Sequence, residues 1–269
     1  LIVTGGPGTG KTTLVVKLIS LLVERVLAGG GDPPVVRLLA PTGKAAAAMT
    51  ASFARQRGTL GLSDEVARAL PTGAETIHRA LLPRTRRDAF GRARSFSLDA
   101  DIVVVDEASM VDLAMMRALF EATESAQRVI LLGDPDQLAS VDSGAVLAEL
   151  CEAARDVPAL ARSRVHLSHS HRFDSGGAIG LLAQAIREGD ADRALEILDD
   201  PEHPEVSRRP IDSIAGVRAH LAESARDMQR AILAAADPGA KLDRLLSGRV
   251  LCAHRQGPLG SVALCEVLD

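Results

Sequence analysis

The sequence predicts an α/β fold, a doubly wound parallel sheet with helices on both faces. Four short apolar runs suit strands that are buried on both faces. These runs are LIVT (1–4), VVRLLA (35–40), DIVVVD (101–106) and RVILLGD (128–134). A helical pattern follows each run, and a glycine-rich segment separates the first run from its helix. Such alternation predicts a parallel sheet whose strands all point their carboxyl ends at one crevice.

The first run leads into a phosphate-binding loop. Residues 5–12 read GGPGTGKT, and the helical pattern LVVKLISLLVERVL follows. Glycines let the backbone aim consecutive N–H groups at one point, and the helix N-terminus adds partial positive charge. We expect a nucleoside triphosphate here, with Lys11 at its β- and γ-phosphates and the Thr12 hydroxyl on Mg²⁺. The residues expected to contact the nucleotide are Gly6, Pro7, Gly8, Thr9, Gly10, Lys11, Thr12 and Thr13.

The third run ends in an acidic pair, Asp106 and Glu107. We expect Asp106 to hold Mg²⁺, directly or through water, and Glu107 to act as general base or to orient the attacking water. An alternative is that the pair caps the following helical segment SMVDLAMM. The phosphate loop elsewhere in the chain favours the chemical role.

The fourth run is followed by GDPDQLASVDSG (133–144). The Gln137 amide can both donate to a phosphate oxygen and accept from water, as a γ-phosphate sensor must. Asp134 and Asp136 flank a proline and would also suit a turn. Gln137 is therefore the candidate sensor of this segment.

Composition narrows the function classes. The chain has 269 residues, is 46% hydrophobic and contains no apolar run of the roughly 20 residues needed to cross a bilayer. We expect a soluble, cytoplasmic protein with no membrane partner. Its net charge of −4 excludes a global basic field, so any nucleic-acid site must be a local groove. The arginine-rich stretch RTRRDAFGRARS (84–95) suits either a solvated loop or a contact with a polyanion.

A second unit is indicated after Pro158. The strand-like runs RVHLS (164–168) and RVLCA (249–253) enclose helical stretches at 176–188 and 213–235. We predict two domains, residues 1–160 and residues 161–269, of which the second is incomplete.

Six segments in order resemble superfamily 1 DNA helicases of the 5′-to-3′ branch, and within it the RecD family, the α subunits of exodeoxyribonuclease V (RecBCD). They are GGPGTGKTT, LLAPTGKAAAAM, ETIHRALL, VVVDEASMVD, LLGDPDQLASVDSG and LSHSHRF. The resemblance implies a P-loop NTPase with a RecA-like domain, followed by the start of a second RecA-like domain.

Residue roles follow from this resemblance. Lys11, Glu107 and Gln137 match catalytic positions, and Asp106 matches the metal ligand. Arg172 matches the arginine that the second domain presents to the γ-phosphate. Four further residues match positions that hold single-stranded DNA without reading bases: Pro41, Thr42, Gly43 and His78. For His78, a buried core position is the alternative.

The resemblance implies an ATP hydrolase and DNA helicase that uses ATP and Mg²⁺ to move 5′ to 3′ along single-stranded DNA. It implies RecB-like and RecC-like partner subunits and a role in double-strand break repair and recombination. The family's later helicase motifs are expected beyond residue 269, so the isolated chain is expected to be inactive. Two alternatives are a stand-alone RecD-like helicase and a non-translocating ATP-binding switch.

Overall fold

The structure, a computed structural model, describes residues 1–82, 97–137, 146–171 and 176–268. Contacts between residues divide the chain into two compact units, Leu1–Ile197 and Leu198–Asp269. In the part of the chain that the structure describes, no helix is long and apolar enough to cross a membrane.

The first unit contains one parallel sheet with the strand order β3-β2-β4-β5-β1-β6. The strands are β1 (Ile2–Gly5), β2 (Val36–Ala40), β3 (Glu75–Thr76), β4 (Ile102–Val105), β5 (Arg128–Gly133) and β6 (Arg164–Leu167). The predicted α/β fold with a parallel sheet is confirmed. Because β5 lies between β1 and β4, the loops that follow these three strands are neighbours at the carboxyl edge of the sheet.

Helices connect the strands and form the second unit. Their bounds are α1 (Lys11–Ala28), α2 (Gly43–Thr59), α3 (Asp64–Ala69), α4 (Ile77–Leu81), α5 (Leu113–Ala122), α6 (Val146–Asp156), α7 (Pro158–Ala161), α8 (Ala178–Glu188), α9 (Ala191–Asp199), α10 (Ile214–Ala234), α11 (Pro238–Ser247) and α12 (Ser261–Leu268).

Two apolar layers hold the sheet between helices. Alternate residues of each central strand enter opposite layers: Val103 packs with helices α4, α5 and α6, and Val104 packs with α1, α2 and α3. Both side chains are fully buried. This two-sided burial explains why the strands read as continuous apolar runs, and it fixes their carboxyl ends as a rigid platform for the loops.

Two predicted elements differ in the structure. The run RVHLS supplies β6, whose residue Val165 is in register with Val3 of β1, so this strand completes the first sheet. The run RVLCA (249–253) forms no strand, and its Leu251 is 93% exposed. The compact units divide after Ile197. The predicted domains, residues 1–160 and residues 161–269, stay a prediction. That residues 161–269 begin a second RecA-like domain stays a prediction.

Candidate nucleotide-binding site

The phosphate loop connects β1 to α1 through two left-handed glycines. Gly8 has φ 77° and Gly10 has φ 84°, a backbone conformation that side chains with a Cβ strongly disfavour. Gly10 precedes α1, and among the described residues no side chain caps that helix. The first N–H groups of α1 are therefore open to an anion, as a phosphate cradle requires.

Lys11 lies across this loop. Its Nζ donates to the carbonyl oxygens of Gly5 at 2.6 Å and Gly6 at 3.1 Å, and the Thr9 hydroxyl also donates to the Gly6 carbonyl at 2.9 Å. The ammonium thus lies within the cradle and has only neutral carbonyl partners among these contacts. A phosphate would be a stronger, charge-assisted acceptor for it.

The acidic pair emerges where β4 leaves the core. Burial is the largest cause that raises the pKa of Asp106, while a hydrogen bond from the Glu107 N–H and the charge of Lys11 oppose it. Burial also raises the pKa of Glu107, and the negative charges of Asp106 and Asp134 add to this effect. Both carboxylates therefore lie within electrostatic reach of Lys11. A positively charged ligand would offset the carboxylate charge that burial makes costly.

Glu107 does not cap the next helix. Its backbone is left-handed, with φ 52° and ψ 40°, and its side chain makes no capping hydrogen bond with the short 3₁₀ turn that follows. Asp112 caps α5 instead, because its Oδ1 accepts from the Met115 N–H at 2.7 Å. A left-handed glutamate costs free energy, and such strain concentrates at functional sites.

Replacing Asp106 by asparagine is expected to raise the melting temperature of the ligand-free protein. Folding raises the pKa of this carboxyl, so its contribution to stability is complete below the unfolded pKa and is lost as pH rises through the folded pKa. Asparagine carries no charge and keeps an oxygen for the Glu107 N–H. Each kcal/mol of unfolding free energy that the substitution recovers raises the melting temperature by about 2–4 °C in a protein of this size.

Thermal unfolding at an acidic pH below the ordinary carboxyl pKa and at neutral pH would measure this effect, with the exposed Asp243→Asn variant as control. The gain of Asp106→Asn over the wild type should be larger at neutral pH. A lower melting temperature of Asp106→Asn at neutral pH, or an equal gain in the control, would contradict the assignment.

The loop after β5 lies between the phosphate loop and the acidic pair. Gly133 ends this strand so close to the acidic-pair segment that an added Cβ would lie 3.2 Å from the Ser109 nitrogen and 2.4 Å from Leu147. Asp134 is buried, and its backbone oxygen accepts from the Gln137 N–H at 3.2 Å. Gln137 itself is exposed at the carboxyl edge of the sheet. Its role as sensor stays a prediction, because among the described residues no contact of its amide with the other site residues is seen.

Two residues of the segment LSHSHRF for which the sequence predicted no role, Ser170 and His171, also touch the phosphate loop. The Ser170 hydroxyl donates to the Pro7 carbonyl at 3.1 Å, and the His171 N–H donates to the Gly8 carbonyl at 2.9 Å. Both follow β6, which pairs with β1. Only this strand pairing brings them to the loop. Arg172, the predicted γ-phosphate arginine, lies outside the described residues, as does the arginine-rich stretch 84–95.

The predicted DNA-contacting residues lie at one edge of the sheet. Ala40, the last residue of β2, is in register with Thr76 of β3, which places the segments after both strands side by side. His78 is exposed, which contradicts the alternative that it is a core residue. Thr42 is exposed and its hydroxyl accepts from the Ala45 N–H at 3.2 Å, so it caps α2.

Pro41 is half-buried, and Gly43 is exposed beside it. The structure therefore brings the four predicted DNA residues to one surface. The structure also shows that Thr42 is the N-cap of α2, a role that sequence analysis did not assign to it. A threonine directly before a helical run would have indicated this role.

Comparison with known proteins gives the family. A sequence profile described as "AAA domain" matches residues 1–206. The RecBCD enzyme subunit RecD of Mycolicibacterium smegmatis is 45% identical over 96% of this chain and 45% of its own length. The ATP-dependent RecD2 DNA helicase of Deinococcus radiodurans is 36% identical over 57% of this chain and 18% of its own length.

Among solved structures, Pif1 from Bacteroides in complex with ADP-AlF4 aligns at 20% identity with a TM-score of 0.43, covering 75% of this chain and 46% of that one. The chain spans less than half the length of the RecD subunit that it matches. With a profile match over residues 1–206 and a relative aligned over 96% of the chain, the protein belongs to the AAA domain family, and its resemblance to RecD is confirmed.

Proposed function

We propose that this chain is the ATPase core of a RecD-like DNA helicase, in which ATP hydrolysis drives movement along single-stranded DNA from 5′ to 3′. The observation that carries the proposal is the convergence of Lys11 with two half-buried carboxylates, Asp106 and Glu107, whose pKa values are raised. This set lies on the same edge of the sheet as Thr42 and His78. Nucleotide chemistry and a DNA path thus share one rigid platform.

The donor set fits Mg²⁺ and a triphosphate. The Asp106 carboxylate and the Thr12 hydroxyl are hard oxygen ligands of the kind that Mg²⁺ prefers and would hold it, and the ion would supply neutralisation of phosphate charge. Lys11 adds a point charge at the same phosphates. Glu107, whose pKa is raised, suits a base that accepts a proton from the attacking water.

Gln137 and Arg172 complete the proposed site. The Gln137 amide would orient the attacking water or contact the γ-phosphate. It belongs to the loop after β5, which lies between the phosphate loop and the acidic pair. Arg172 would stabilise the charge that develops on the transferred phosphoryl group. An arginine that is in place only when two domains close makes hydrolysis depend on domain motion, which is what a translocase needs.

Partners and context follow from the relatives. A 45% identical relative is named as a subunit of the RecBCD enzyme, which supports RecB-like and RecC-like partners and a role in double-strand break repair and recombination in the cytoplasm. The Deinococcus relative is named a DNA helicase in its own right, which favours a stand-alone helicase as the second candidate. The match to the Deinococcus helicase covers 57% of this chain, whereas the match to the RecD subunit of Mycolicibacterium smegmatis covers 96%. We therefore favour the RecBCD-type subunit over the stand-alone helicase.

The decisive experiment measures ATP hydrolysis by the full-length protein with and without single-stranded DNA. A helicase motor should hydrolyse ATP faster when DNA is present, since translocation couples the two. A non-translocating switch should bind ATP with little turnover and no DNA response. Repeating the assay with and without co-expressed partner subunits would separate a RecBCD-type subunit from a stand-alone helicase.

Changing Thr42 and His78 together to alanine is expected to weaken binding of single-stranded DNA about 5- to 20-fold, since two polar phosphate contacts are lost. Basal ATPase activity should be nearly unchanged. Fluorescence titration with oligonucleotides of several sequences would test this, and binding should fall with salt for each of them.

The control for this pair is Ser63→Ala, because the Ser63 hydroxyl caps α3 as Thr42 caps α2. It removes a comparable cap without touching the predicted DNA edge. Strong sequence preference, or equal weakening in Ser63→Ala, would place the DNA path elsewhere, with residues 84–94 as the next candidate.

A further inference from the structure

Arg187 extends toward the phosphate loop from a helix that the predicted site does not include. It lies in the last turn of α8, which is anchored by two fully buried alanines, Ala178 and Ala185. A Cβ built on Gly6 would lie 3.7 Å from Arg187 Nη1, so the guanidinium lies directly beside the loop backbone. Loop and helix belong to the same compact unit.

The guanidinium is available for a ligand. Arg187 is exposed, and among the described residues no hydrogen bond or ion pair engages its side chain. The exposed Arg208 shows the contrast, since it is held by Asp199. A guanidinium offers five N–H donors in a planar fork that matches phosphate oxygens.

The position of Gly6 within the loop indicates which phosphate is in reach. The helix N-terminus, which follows Gly10, is the end that receives the α- and β-phosphates. Lys11, whose ammonium serves the β- and γ-phosphates, points back to the carbonyls of Gly5 and Gly6. Gly6 therefore lies at the γ-phosphate end, and Arg187 lies beside it.

We propose that Arg187 is a second phosphate-binding cation of this site, one that contacts the γ-phosphate and thereby favours a nucleoside triphosphate over a diphosphate. The proposal rests on the proposed function, because it assigns a further residue to the same nucleotide site. Arg187 differs from Arg172 in that its position beside the loop lies within the described residues.

The test measures affinity of the full-length protein for fluorescent ATPγS and fluorescent ADP in the absence of DNA. Arg187→Gln should weaken ATPγS binding about 5- to 20-fold while ADP binding changes less than about 2-fold. Arg187→Lys should recover part of the loss, since it restores charge without the fork. The difference between wild type and Arg187→Gln should shrink at high salt, because the group is exposed.

Arg193→Gln, an exposed arginine on α9, is the matched control and should bind both nucleotides like the wild type. Equal affinity of wild type and Arg187→Gln for ATPγS would overturn the inference and leave the proposed function intact. Equal losses for both nucleotides would also overturn it, because they would indicate that Arg187 supports the loop and not the γ-phosphate. A wild type that binds neither nucleotide would overturn the inference and the proposed function together.

Discussion

Replacing Lys11 by glutamine is expected to abolish ATP hydrolysis, with a loss of at least about 100-fold in turnover, while the protein stays folded. Removing one preorganised donor from a site of developing charge typically costs about 100- to 1,000-fold. The two hydrogen bonds of Nζ go to loop carbonyls, and the loop conformation is set by Gly8 and Gly10, so the backbone survives the change. Steady-state ATPase assays and thermal unfolding of the full-length variant would measure both effects.

Lys17→Gln is the matched control, because Lys17 lies on α1 about 1.7 turns after Lys11 and is exposed. It removes the same charge from the same helix without touching the loop. Near-normal turnover in a folded Lys11→Gln variant, or equal losses in both variants, would show that the phosphate site is misassigned.

The central strands could be predicted because burial on both faces leaves a local signal. Four apolar runs became β1, β2, β4 and β5 within one or two residues of their predicted bounds. The two-residue strand β3 (Glu75–Thr76) left no such signal, because its residues are polar and only half-buried. An edge strand has one neighbour and needs no continuous apolar run.

The strand β6 shows a different limit. Its sequence RVHL reads as a strand, but its partner is 162 residues away, as the register of Ile2 with Arg164 shows. The local sequence pattern does not indicate whether this strand joins the first sheet or begins a second one. With this pairing, β6 lies with β1 in the compact unit Leu1–Ile197.

Motif reasoning located Lys11, Asp106 and Glu107, because their spacing relative to strand ends is part of the motif itself. It did not locate Ser170 or Arg187. Ser170 lies within the segment LSHSHRF, but its contact with the phosphate loop depends on the pairing of β6 with β1, and the position of Arg187 depends on the packing of α8. Contacts that tertiary pairing creates are therefore found from the fold and not from the pattern.

Several features that lower the stability of the folded protein lie together at the end of β4. Asp106 and Glu107 are carboxylates that burial makes harder to ionise, Glu107 has a left-handed backbone, and the buried Ser109 hydroxyl has no hydrogen-bond partner among the described residues. Each of these features lowers the stability of the ligand-free protein. Their clustering beside Lys11 supports a site organised for a bound ligand and not for stability alone.

Replacing Glu107 by glutamine is expected to reduce ATP hydrolysis about 100- to 10,000-fold, the usual contribution of a general base, while nucleotide binding persists. Glutamine keeps the length and shape of the side chain and adopts the same left-handed backbone at similar cost. It removes a negative charge that lies near Asp106 and Asp134, whose charges raise the pKa of Glu107 in the wild type. Binding of a triphosphate should therefore be equal or tighter, and the variant should accumulate in its ATP-bound state.

Single-turnover hydrolysis together with equilibrium binding of ATP would separate these two effects in the full-length protein. The control is Glu124→Gln, an exposed glutamate that follows α5. Because Lys11→Gln should weaken phosphate contacts and Glu107→Gln should not, the pair distinguishes a residue that holds the phosphates from one that activates water. Normal turnover in Glu107→Gln, or loss of ATP binding as severe as that of Lys11→Gln, would assign water activation to another residue, and Gln137 would be the next to test.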